Sequence, residues 1–144
     1  MRLTDVLLGE HAVLYTLFDQ IEAGAVADLA SVQQAAVVLG AVVEPHAKLE
    51  EELLFPALEP HLGPGGPLAV MRAEHDEFRQ ALRRMTDLSD VHEGIDCLTQ
   101  ALDLLRGHFQ KEEQVLFSMA RQMLDNETQL RLSKAWAAAR RVTI

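Results

Sequence analysis

"HAKLEEELLF" at residues 46–55 is the stretch on which the fold turns. Its apolar residues recur at helical spacing, so it has a face to bury. His46 and Glu50 fall on that same face, one helical turn apart. "HFQKEEQVLF" at residues 108–117 repeats the pattern: a His, three residues, two Glu, two residues, then Leu-Phe.

Four long segments carry helical periodicity. The first runs from about Thr4 to Ala23, with Thr4 or Asp5 as a cap. The second runs from about Asp28 or Ser31 to Phe55, with a kink expected near Pro45. The third runs from about Pro67 to Asp87, and the fourth from about Asp90 to Met123. A shorter fifth segment, "NETQLRLSKAWAAARR", offers Asn126 and Gln129 as a capping box and Leu130 and Trp136 for docking. The Pro- and Gly-rich "PALEPHLGPGGP" at 56–67 is read as the break between two helix pairs. These features predict an all-α, up-down-up-down four-helix bundle with a short C-terminal fifth helix. The whole chain, 1–144, is read as one domain of two helix-pair half-repeats, about 4–57 and 67–123. "EHAVLYTLF" at 10–18 and "EHDEFRQAL" at 74–82 also correspond.

A core stripe can be traced down each helix. The first is Leu7, His11, Leu14, Phe18, Ile21. The second is Val32, Ala36, Leu39, Val43, His46, Glu50, Leu53, Ala57. The third is Leu68, Met71, His75, Phe78, Leu82, Met85, and the fourth Leu98, Ala101, Leu105, His108, Glu112, Val115, Met119. The stripes are apolar except for His11, His46, Glu50, His75, His108 and Glu112. A lone histidine on such a stripe is ordinarily a hydrogen-bonded core residue. A buried, unpaired carboxylate costs several kcal/mol against a total stability of about 5–15 kcal/mol, and no stripe carries an Arg or Lys. Two carboxylates and four imidazoles therefore call for a shared metal. Imidazole plus carboxylate suits iron, and also manganese or zinc. Two ions sharing both carboxylates as bridges each receive two His nitrogens and two Glu oxygens. A bridging oxide or hydroxide brings each ion to five donors and leaves room for a small ligand.

The order His, His-x-x-x-Glu, His, His-x-x-x-Glu, with its Glu-Glu-x-x-Leu-Phe tails, resembles the hemerythrin-like HHE cation-binding domain over residues 4 to about 120. That resemblance implies a non-haem di-iron centre with an oxo or hydroxo bridge. By position, His11 and His46 serve one iron, His75 and His108 the other, and Glu50 and Glu112 bridge. Two departures from the oxygen carriers of that family stand out. Arg79 replaces a further His one turn beyond His75, and Glu112 replaces an Asp one residue further on. Both point to a more open second iron than in a carrier. Tyr15, the half-repeat equivalent of Arg79, is read as a core tyrosine, with a donor role beside the metal as the alternative. Glu51 and Glu113 are expected in solvent or behind the ligands. Glu10 and Glu74 are candidates to orient imidazoles or to lie on the surface. His61 and His92 fall outside the cluster.

The functional expectation is a di-iron protein that binds or senses oxygen, nitric oxide, peroxide or iron itself. The alternatives are a di-iron oxidase or peroxidase, catalase-like in its chemistry, and a metal-stabilised interaction domain. A net charge of −9, with 13 Lys and Arg scattered among 22 acids, argues against nucleic acid as a partner. The longest apolar run, Ala35 to Val43, is too short for a membrane span of about 20 residues. A protein partner stays open. The N-terminus does not resemble an export signal, and the single Cys97 fits a reducing cytoplasm.

Overall fold

The computed structural model describes residues 1–24 and 26–144. Its elements are α1 (Leu3–Ala23), α2 (Leu29–Leu49), α3 (Phe55–Leu62), α4 (Gly66–Asp87), α5 (Val91–Lys111), α6 (Phe117–Met123) and α7 (Asn126–Arg140). Among the described residues there is no strand. A π-helical turn, Glu50–Leu54, joins α2 to α3 without a break, and a second, Glu112–Leu116, joins α5 to α6. The long rods are thus α1, α2–α3, α4 and α5–α6, in the expected up-down-up-down bundle. α7 packs on α1 and on the turn at Glu50–Leu54.

The caps explain where the helices start. Asp28 accepts the Ser31 backbone N–H at 2.8 Å, and Asp90 accepts that of Glu93 at 2.9 Å. Two expected caps move. In α1, Asp5 accepts from the Arg2 backbone N–H at 2.9 Å, while Thr4 is buried. In α7, Asp125 rather than Asn126 accepts from Thr128 N–H, at 2.7 Å. Gln129 is free to turn inward, where it donates to the Ala120 carbonyl at 3.0 Å. Leu130 stays 43% exposed, and Leu132 docks in its place.

The second rod does not stop at Phe55. It continues through Pro56 and Pro60 to Leu62 and ends at Gly63, whose φ of 75° is a left-handed value that suits glycine. Pro56 is the second residue of α3, in the first turn after the π segment, where a missing N–H costs little. Pro45 lies within α2. The backbone departs from α geometry five residues later, where Phe55 N–H bonds the Glu50 carbonyl. Phe117 N–H bonds the Glu112 carbonyl in the same way.

These two turns shift the buried stripe. Beyond Glu50 the buried residues are Leu54 and Leu58, not Leu53 and Ala57. Beyond Glu112 they are Leu116 and Ala120, while Val115 is 44% exposed. The apolar core accordingly divides in two. One part gathers Leu14, Phe18, Val43, Phe78 and Leu105. The other gathers Leu7, Leu54, Leu58, Met71 and Leu116. Each fully buried side chain of this size contributes roughly 1.5–3 kcal/mol. The polar stripe residues occupy the layer between the two parts: His11, for instance, lies between Leu7 and Leu14 on α1.

Candidate metal centre

One histidine comes from each rod, and the two π turns each begin with a glutamate of the cluster. His11, His46, His75 and His108 are 1–4% exposed, and Glu50 and Glu112 are 0%. The imidazoles form two pairs facing each other through their Nε2 atoms. His11 meets His46 at 3.0 Å, and His75 meets His108 at 3.0 Å. Each glutamate spans both pairs. Glu50 Oε1 lies 3.1 Å from His46 Nε2, and its Oε2 lies 3.4 Å from His75 Nε2. Glu112 Oε2 lies 3.3 Å from His11 Nε2, and its Oε1 lies 3.2 Å from His108 Nε2.

None of these four carboxylate oxygens has a hydrogen-bond partner. They face the Nε2 atoms of the four imidazoles at 3.1–3.4 Å. Buried polar atoms are nearly always satisfied, and an unpaired buried charge is costly. Two sets of donors, His11, His46, Glu50, Glu112 and Glu50, His75, His108, Glu112, each lie within 4.8 Å of one another. Each set suits one metal ion, and the two sets share both glutamates.

Behind each imidazole stands a further carboxylate. His46 Nδ1–H donates to Glu10 at 2.6 Å, and His108 Nδ1–H donates to Glu74 at 2.8 Å. His75 donates to Glu51 at 2.7 Å, and His11 to Glu113 at 2.8 Å. This fixes the proton on Nδ1 and leaves the Nε2 lone pair aimed at the centre. The four carboxylates obey the half-repeat: Glu10 and Glu74 each serve the next rod, and Glu51 and Glu113 leave a π turn to serve the helix across from it. Their roles were open in the sequence, where surface placement was the competing reading.

Electrostatics show the same demand for positive charge. Burial pushes the His46 imidazole down, but Glu50 and Glu10 outweigh it and raise it to about 10. For His108 burial is likewise outweighed, by Glu112, Glu50 and Glu74, to about 9. Without a metal, protons therefore gather on His46 and His108. Glu50, although burial opposes its charge, is held well below the usual carboxylate range by His46 and His75.

Arg79 does not stand free over the centre. Its Nε donates to Glu44 at 2.9 Å and its Nη1 to Glu51 at 3.0 Å. It thus steadies the carboxylate that orients His75. Tyr15 is partly buried and packs against the core, beside Phe18 and Phe109. Burial and the neighbouring Glu113 carboxylate push its phenol up to about 12. Phe109 stacks on the His11 ring with centroids 3.9 Å apart, and Phe55 stacks on His75 at 5.6 Å. Against three of the imidazoles, His46, His75 and His108, lies an apolar cavity of about 10 Å³ bounded by Val43, Phe78 and Leu105.

A model of the hemerythrin HHE cation binding domain matches residues 2–120. No curated protein and no solved structure matches the chain significantly. No helix among the described residues is long and apolar enough to cross a membrane. With the match covering most of the chain, and with its paired His and Glu groups suited to metal, the chain belongs to the hemerythrin HHE cation-binding family.

Proposed function

We propose that the chain holds two iron ions in these sets, His11 and His46 on one, His75 and His108 on the other, with Glu50 and Glu112 bridging. The observation that carries this is the four unpartnered oxygens of Glu50 and Glu112, each facing an imidazole nitrogen at 3.1–3.4 Å in a buried layer between two apolar clusters. Manganese or zinc satisfies the same donors. Iron bound here would supply redox chemistry and an open position for a small molecule.

The chain's own contribution is positional. The four outer carboxylates hold the imidazoles in one tautomer and one orientation. Phe109 and Phe55 fix ring planes by stacking. Apolar walls exclude water, and the small cavity beside His46, His75 and His108 admits about one water-sized guest. We read that guest as oxygen, nitric oxide or peroxide, bound in a binding or sensing role. The chain is one metal-binding domain built from two half-repeats. Its one cysteine, Cys97, is buried and unpaired, which supports the cytoplasmic reading.

The test is to load the protein with ferrous iron, expose it separately to oxygen, nitric oxide and peroxide, and record optical spectra. A stable, reversible adduct supports binding or sensing. Repeated consumption of peroxide would instead make the protein an enzyme.

A further inference from the structure

Three of the four orienting carboxylates find their second partner within the bundle. Glu51 is held by Arg79, Glu74 by Lys111, and Glu113 lies beside Tyr15. Glu10 differs. Its Oε1 accepts from the Trp136 indole Nε1–H at 2.8 Å and from Arg140 Nε at 2.6 Å. Its Oε2 accepts from Arg140 Nη2 at 3.1 Å and from His46 Nδ1 at 2.6 Å. Both outside donors belong to α7, which lies beyond the residues that match the family model.

α7 is anchored independently of this contact. Leu132 and Ala137 are buried, Gln129 bonds Ala120, and Ser133 Oγ donates to the Met1 carbonyl at 3.1 Å. The helix also touches the π turn at Glu50–Leu54, where a proposed bridging carboxylate begins. The clamp itself sits at the edge of water. The side chains of Glu10 and Arg140 are 17% and 25% exposed. A groove of about 520 Å³, walled by Val13, Val42 and Pro45, opens against them.

We infer that Trp136 and Arg140 are positioning residues that hold His46 through Glu10, so that α7 and the metal at His11 and His46 stabilise one another. This rests on the proposed metal sites. Two charge-assisted bonds from Arg140 and one from the indole leave Glu10 a single orientation, and Glu10 leaves His46 one. Coupling free energies are reciprocal. If docked α7 favours the metal, the metal favours docked α7, and occupancy of one site is transmitted to a surface helix.

The experiment uses the full chain loaded with zinc and follows release of each equivalent to a chromogenic chelator. The variants are Trp136→Phe, which keeps the ring, and Arg140→Met, which keeps the stem. Each should speed release of one of the two equivalents by about 3–10-fold and leave the other nearly unchanged. Loss of a carboxylate bonded directly to a ligand His weakens binding by about 10–100-fold, so a more distant partner should have a smaller effect. Arg140→Lys should restore part of the loss. Amide hydrogen exchange on the wild type gives a second readout independent of any variant: zinc should slow exchange across Asn126–Arg140. Unchanged release in both variants, or release of both equivalents accelerated alike, overturns the coupling, as does α7 exchange indifferent to zinc. A wild type that binds no zinc or iron overturns the metal reading itself, and the coupling with it.

Discussion

Glu51 Oε1 lies 2.7 Å from His75 Nδ1, although Glu51 directly follows a glutamate aimed at the opposite nitrogen of the same imidazole. In a regular α-helix consecutive side chains point about 100° apart. The π turn that starts at Glu50 widens the backbone here, and two adjacent carboxylates both serve the cluster, one from inside and one from behind.

A graded response to substitution follows along this turn. Glu50→Ala or Glu112→Ala should lose at least one metal per chain, because each removes a donor from both sets. Glu51→Ala or Glu113→Ala should keep two metals but weaken binding by about 10–100-fold. Competition titrations against a chelator of known affinity check this. Equal losses at Glu50 and Glu51 would mean that both, or neither, ligate.

The bond from Arg79 to Glu51 predicts non-additivity. Arg79→Met should weaken one metal site severalfold, since Glu51 then loses a donor that fixes it. In a Glu51→Ala background the same change should do little, because the two act in series. A double-mutant cycle on metal affinity measures the difference. Full additivity would place Arg79 outside the pathway to His75.

The cavity beside Val43, Phe78 and Leu105 makes ligand access separable from metal content. Val43→Ile adds one methylene to a space of about 10 Å³. It should slow the reaction of the iron-loaded protein with nitric oxide or peroxide, with two metals still bound and overpacking of about 1–3 kcal/mol or less. Stopped-flow spectra and metal analysis on the same sample decide it. An unchanged rate would put the open position on another face of the cluster.

Most of the candidate site was legible in the sequence, because His and Glu stand out chemically on an apolar stripe and recur four residues apart. The π turns were not. A periodic trace passes through Leu53 and Val115 whether or not the backbone widens, and the residue types there do not forbid α geometry. The adjacent Leu-Phe pair in each half is no signal either: Leu54, Phe55, Leu116 and Phe117 are all buried, but so are neighbours inside regular α-helix, such as Cys97 and Leu98. The α7 clamp left no trace. Trp136 and Arg140 belong to no repeat, and their contact with Glu10 joins residues far apart in the chain. Arg79 was legible as a cation near the centre, but its neutralisation by Glu44 and Glu51 depended on the packing of α2 against α4.

Removing the metal should expose its structural role. With free metal 100-fold above its Kd, binding stabilises the folded chain by about 2.7 kcal/mol per site, if the unfolded chain does not bind. At about 2–4 °C per kcal/mol for a chain of roughly this size, each occupied site should raise Tm by about 5–10 °C. Thermal unfolding with metal and after dialysis against chelator tests this. Coincident curves would show that protons alone satisfy the buried carboxylates.

The central claim is that Glu50 and Glu112 each serve two metals at once. Its most direct test is the metal content of purified protein produced with ample iron, set against chain concentration by amino-acid analysis. About two ions per chain are expected in the wild type. One ion or none, in protein that is fully folded, would contradict it.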